Sequence, residues 1–180
     1  MDIKIKKELT SNWFKLLQNS ICYDIESLER KKKFKIKTWK KNKNKEGGGE
    51  FRILKDGKIF EKVGVNFSEV HGKFSNEIKK NIPGANKDPR FWASGISVVM
   101  HMKNPHIPAM HFNTRYINTT HSWFGGGMDV TPCIKDNDEK NFLHYELKKM
   151  CNRHNKNYYK RYKKWCDEYF YLPHRKETRG

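Results

Sequence analysis

The chain has 180 residues, with 38 Lys and Arg against 20 Asp and Glu and a formal net charge of +18. That length suits one compact domain, and 11 Phe, 8 Tyr and 5 Trp exclude a disordered chain despite a mean hydropathy of −0.98. The longest aliphatic run, Ile96 to Met100, is broken by Ser97, and the start Met1-Asp2-Ile3-Lys4-Ile5-Lys6-Lys7 lacks an apolar signal core. No membrane span is expected, and the cytoplasm is the expected location.

Leu9, Trp13, Leu17, Ile21 and Ile25, with Leu28 closing the stripe, predict a first helix with an apolar face. Phe34 to Trp39 alternates as a strand does, and a basic run from Lys40 to Glu46 leads into Gly47-Gly48-Gly49. Phe51 to Leu54 and Ile59 to Val65, joined across Asp56-Gly57, predict a hairpin. A short helix over residues 75 to 81 is expected to end before Pro83-Gly84. Strands follow at Ala93 to Met102, Ala109 to Ile117 and Ser122 to Val130, the last containing Gly125-Gly126-Gly127. Asp136-x-x-Glu139 reads as the cap of a helix carrying Leu143, Leu147, Met150 and Cys151. A last helix carries Tyr158, Tyr162, Trp165, Cys166 and Tyr169 on a face expected to meet the core. The pattern is α+β, one domain over 1–180, with 1–46 forming an N-terminal helix and basic connecting segment.

The charge does not by itself argue for nucleic acid. Thirty of the 38 basic residues are Lys, spread along the chain, whereas base readout and phosphate forks favour Arg. Cys22, Cys133, Cys151 and Cys166 are too scattered for a zinc pair and read as reduced thiols.

Chemistry concentrates between His101 and Asp129. Alternate residues of a strand share a face, so His111, Asn113 and Arg115 point one way. Ser97 and His101 share a face of the preceding strand and, if the two strands pair in phase, join them. Such a surface offers an imidazole titrating near neutrality and a guanidinium fork for a carboxylate. The same alternation also describes the wet face of a half-exposed sheet. His101, His111, His144 and His174 are alternatively a metal set, although their spacing matches no compact motif. The triple glycine before Asp129 lacks the phosphate-loop pattern and reads as a close backbone approach to a ligand or a bulge.

Several longer words carry a resemblance. They are Gly47-Gly48-Gly49, Phe60-Glu61-Lys62-Val63-Gly64-Val65, Val70-His71-Gly72 and Gly95-Ile96-Ser97, then His101, Asn104-Pro105-His106-Ile107-Pro108 and His111-Phe112-Asn113-Thr114-Arg115-Tyr116. They continue through Trp123-Phe124-Gly125-Gly126-Gly127-Met128-Asp129-Val130-Thr131-Pro132, Tyr162 to Phe170, and His174-Arg175. From Gly47 onward the sequence resembles oxygen-dependent coproporphyrinogen-III oxidases. The resemblance implies a large antiparallel sheet with helices on both sides, a homodimer, and no organic cofactor. It implies oxidative decarboxylation of two propionates of coproporphyrinogen III to vinyl groups, giving protoporphyrinogen IX, with molecular oxygen as co-substrate.

By position, the resemblance implies Ser97 and Asn113-Thr114-Arg115 as substrate contacts, His111 as proton donor and Asp129 as partner of the pyrrole N–H groups. It implies His101, His111, His144 and His174 as ligands of a divalent metal. Because the chain ends at Thr178-Arg179-Gly180, where the family continues into a Gly-rich segment, a C-terminally incomplete domain of poor activity is expected. The rival reading is a non-catalytic module, either a porphyrin-binding remnant or a basic nucleic-acid binder.

Overall fold

The computed structural model describes residues 2–179; Met1 and Gly180, the two ends of the expected domain, lie outside them. Helix α1 (Ile3–Glu29) is followed by six strands: β1 (Lys35–Lys40), β2 (Gly47–Lys55), β3 (Phe60–Lys73), β4 (Arg90–Met102), β5 (Ala109–Asn118) and β6 (Ser122–Thr131). Helices α2 (Asn137–Asn152) and α3 (Tyr158–Tyr169) close the chain. The strands form one antiparallel sheet in sequence order. The Asp-Gly, Asn-Pro and Thr-Thr turns supply short connections, while β3 and β4 are joined by the longer segment 74–89. The expected α+β class is what forms, with α1 packed on one face and α3 meeting the sheet at β6.

One face of the sheet is dry. Val63, Val65 and Phe67 of β3, Ile96 and Val98 of β4, and Tyr116 of β5 are buried there against Phe14, Cys22 and Ile25 of α1. Each large apolar side chain so buried contributes about 1.5–3 kcal/mol. The helix is where the periodicity placed it, but its buried face is different. Leu9, Trp13 and Leu28 are exposed, and the sheet instead receives Thr10, Ser11, Phe14, Gln18, Cys22, Ile25 and Glu29. Geometry explains the error, since a stripe spaced strictly by four advances about 40° per step around a helix. Leu9 and Ile25 therefore lie nearly opposite one another. The buried set from Phe14 onward mixes steps of four and three, and so stays on one side.

Polar groups fix that helix to the sheet. Gln18 Nε2 donates to the carbonyls of Glu50 (3.1 Å) and Val65 (3.0 Å). Glu29, only 4% exposed, accepts the backbone N–H groups of Lys58 (2.6 Å), Ile59 (2.8 Å) and Phe60 (2.6 Å) in the β2–β3 turn. Burial alone would raise the Glu29 pKa, but these three bonds outweigh it and hold the carboxyl below its usual range. A Cβ at Gly57 would collide with this carboxylate, so the turn needs glycine there.

Two further expectations change. Gly47 to Gly49, expected ahead of a strand, lie inside β2, whereas Gly125 to Gly127 lie inside β6 where the strand was expected. The helix expected over residues 75 to 81 shrinks to one 3-10 turn, Ile78–Asn81. Asp136 caps α2 as expected, accepting from the N–H groups of Asp138 and Glu139. The aromatic face of α3 is not core: Trp165 is 60% and Tyr169 76% exposed. Among the described residues, no helix is long and apolar enough to cross a membrane.

Candidate functional site

The second face of the sheet carries the chemistry. Register sets it out as parallel rows across the strands, because directly opposed residues in an antiparallel pair share a face. One row runs Gly64, Val99, His111, Asp129. The next runs Phe51, Asn66, Ser97, Asn113, Gly127, and a third Gly49, Ser68, Gly95, Arg115, Gly125. His101 follows Val99 on the same face of β4. Ser97, His101, His111, Asn113, Arg115 and Asp129 thus occupy one surface, as the alternation predicts if the strands pair in phase.

His111 Nδ1 lies 2.9 Å from Asp129 Oδ1, and its Nε2 lies 3.4 Å from His101 Nε2. The carboxylate is 16% exposed and the imidazole 39%, so the pair is anchored at its acidic end and open at the other. With Asp129 accepting Nδ1–H, the Nε2 nitrogen of His111, facing His101 Nε2, is the one left to exchange a proton. Arg115 Nη1 donates to Asn113 Oδ1 (2.7 Å) along its own strand and is otherwise exposed.

Around these groups five glycines thin the face, between the apolar side chains of Phe51, Ile53 and Val99. Gly49, Gly64, Gly95, Gly125 and Gly127 all present no side chain to it. A Cβ added at Gly64 would meet nothing within 4 Å, and one at Gly125 only the Trp123 ring at 3.9 Å. At Gly127 the Phe170 ring, at the end of α3, stands 3.5 Å from where a Cβ would be and walls the β6 side. A wide floor of this kind takes a broad, flat ligand better than a small one. Two clefts lie elsewhere. One of about 510 Å³ sits between α2 and α3 among Lys148, Lys156, Lys160 and Lys163, and one of about 390 Å³ between α1 and the sheet beside Gln18 and Arg52.

Three expected positions are placed otherwise. Thr114 lies opposite Ile96, on the α1 face, so its side chain does not reach the site that its neighbours build. His144 sits on α2, its ring 6.3 Å from that of Tyr159, and its Nδ1 is buried without a partner among the described residues. Burial first, then the charges of Lys163 and Lys140, lower its pKa. His174 is exposed in the turn closed by the Leu172–Glu177 bridge. Only His101 and His111 of the four histidines meet, and no group of three or more His, Cys, Asp or Glu among the described residues is arranged to hold a metal ion. The residues do not fit the four-histidine set, because two of its members lie on elements the sheet does not bring to His111.

Asn66 belongs to this face and escaped the sequence reading, which ended its strand at Val65. The signal was present. Val63, Val65 and Phe67 alternate with Gly64, Asn66 and Ser68, a period of two continuing well past that point.

The sequence profile of the family described as coproporphyrinogen III oxidase matches residues 9–180. The chain belongs to that family. Named relatives agree: it is 49% identical over 183 residues to an oxygen-dependent coproporphyrinogen-III oxidase of Rickettsia akari (strain Hartford), covering 97% of this chain and 64% of the relative. It is 47% identical over 186 residues to the protein of that name from Rickettsia bellii (strain RML369-C), covering 98% and 66%. The chain therefore spans a little under two thirds of the length of these relatives.

Proposed function

We propose that this chain carries the substrate face of an oxygen-dependent coproporphyrinogen-III oxidase. The reaction turns two propionate side chains of coproporphyrinogen III into vinyl groups and yields protoporphyrinogen IX. At each propionate the Cβ–H and C–CO₂ bonds break, a C=C bond forms, and CO₂ leaves. Molecular oxygen takes the two electrons and two protons as hydrogen peroxide. The observation that carries the reading is the His111–Asp129 pair at 2.9 Å, set in a glycine-paved floor with Arg115 beside it.

The chemistry of the ligand matches that face. A porphyrinogen is broad and apolar in its rings and has carboxylates around its rim. Arg115 offers a fork for one carboxylate, and Ser97 and Asn113 offer neutral hydrogen bonds in the next row. Asp129 commits one oxygen to His111 and has acceptor capacity left for pyrrole N–H groups. Its negative charge beneath the ring favours loss of electrons from the macrocycle towards oxygen. His111, oriented by Asp129, exchanges protons through Nε2 on the open side. The Thr114 side chain takes no part.

The test is turnover. Aerobic conversion of coproporphyrinogen III to protoporphyrinogen IX, absent under anaerobic conditions and lost in Asp129→Asn, is the expected result. Steep salt-dependent binding to nucleic acid with no tetrapyrrole affinity would replace the reading with the basic-binder one.

A further inference from the structure

Asn66 has no role in the reading so far, yet its place in the sheet is specific. It lies directly opposite Ser97, in the row that continues to Asn113 and Gly127. Its neighbour on the same face is Gly64, above which the space is empty to 4 Å. The Asn66 Oδ1 atom is sealed from solvent and has no hydrogen-bond partner among the described residues. A carboxylate cannot relieve that acceptor, so the sealed oxygen bears only on which end of the amide a ligand can reach. With the oxygen as the sealed end of the amide, the Nδ2 donor is the end turned to the open side. The Ser97 hydroxyl, on an exposed residue, stands across from it at the short side-chain separation of opposed strand positions.

We propose that Asn66 and Ser97 form a neutral two-donor cradle for one rim carboxylate of the tetrapyrrole, with Asn66 as a substrate-contact residue. The inference rests on the functional reading above. Three strand spacings separate β3 from β6, about 14 Å, so Asn66 cannot share a pyrrole with Asp129. It must meet the periphery of a macrocycle centred on Asp129 and His111, and the periphery of this ligand is carboxylate. Carboxylates accept hydrogen bonds and donate none when ionised, which suits Nδ2–H and Oγ–H. Arg115 lies in a different row and on a different strand, so the charged fork and the neutral cradle take different side chains of the ring. A neutral cradle also leaves the field of Asp129 unopposed on the β3 side of the site.

Anaerobic binding of coproporphyrinogen III to the 180-residue chain, followed by tryptophan fluorescence quenching, tests this. Asn66→Leu keeps the volume and removes the donor; about a tenfold loss of affinity is expected, with no fall in melting temperature because the lost acceptor was unpaired. Asn66→Asp sets a negative charge against the bound carboxylate and is expected to bind about a hundredfold more weakly than the parent, below Asn66→Leu. If Asn66→Asp binds as tightly as the parent, the amide serves as an acceptor or not at all, and the cradle is wrong. Loss of affinity in Asn66→Leu together with a lower melting temperature would make Asn66 a structural residue and overturn the inference. Failure of the unaltered chain to bind coproporphyrinogen III would instead remove the functional reading, and this inference with it.

Discussion

Helix α1 buries Phe14, Gln18, Cys22, Ile25 and Glu29 against the sheet, whereas α2 and α3 bury no residue among those described and reach β6 through Phe170. One sheet thus carries two unlike faces. On the α1 side every strand contributes Val, Ile, Leu or Phe, and Gln18 and Glu29 are answered by named partners, whereas Ser94 Oγ and Tyr116 OH are buried without one among the described residues. On the other side the strands mix glycine, His111, Asn113 and Arg115 with Phe51 and Val99, and the Asn66 amide oxygen is likewise left without a partner among the described residues. The difference teaches where stability and chemistry are separately kept. The dry face can hold the sheet together without help from the second, so the second is free to carry glycines and polar groups.

That separation can be broken most heavily from the dry side. Phe14→Ala is expected to cost about 3–5 kcal/mol in chemical denaturation, through lost transfer energy and the cavity left behind. An equal loss from Trp165→Ala, at a residue 60% exposed on α3, would show that the two layers are not different in kind. The expected change there is within about 0.5 kcal/mol.

A complementary change on the wet face sharpens the contrast. Asp129→Asn leaves the shape intact but lets the wrong tautomer of His111 form, and turnover is expected to fall by about 10²–10³-fold. Its denaturation midpoint should stay within about 0.5 kcal/mol of the parent, since the pair is only partly buried. Steady-state rates beside a urea curve decide it.

Glu29→Gln probes the joint between helix and hairpin, with an expected loss of about 2 kcal/mol. The carboxyl is held below its ordinary range, so its contribution is fully present above about pH 4.3, the value of an unfolded Glu. It fades as pH falls through the lower folded value. The acid limb of a stability–pH profile should therefore flatten in Glu29→Gln relative to the parent. The smallest effect belongs to Gly64→Ala: its Cβ enters empty space, so melting should be unchanged or slightly raised, while tetrapyrrole affinity drops by a few-fold as the floor is built up.

Much of this was legible in the residues alone. The hairpin at Asp56-Gly57, the strands around His101 and His111, and the cap at Asp136 all rest on local chemistry that tertiary contacts had no reason to override. Sharing of one face by His111, Asn113 and Arg115 follows from alternation within a single strand; that Asp129 sits opposite His111 depends on the register of β6, which the sequence does not print. Two failures have a common origin. The buried side of α1 and the exposed aromatic side of α3 depend on what lies across from each helix, and periodicity reports a stripe without naming its partner. The metal set fails for the same cause, since His144 and His174 belong to elements that touch the sheet only at its β6 edge.

The contact between Glu29 and the β2–β3 turn has an evolutionary side. Position 57 admits no Cβ while the carboxylate of residue 29 occupies that space. Mutational fates at the two sites, 28 positions apart in the chain, are therefore tied: Gly57→Ala is disfavoured with Glu at 29 and becomes admissible only once a shorter side chain has replaced it. Neither change is accessible first without loss, because removing Glu29 strands the three N–H groups it serves. The dependence runs one way, from the glycine in a distant turn to the acidic residue at the end of a helix, and lineages of this fold should change Gly57 only where position 29 has already changed.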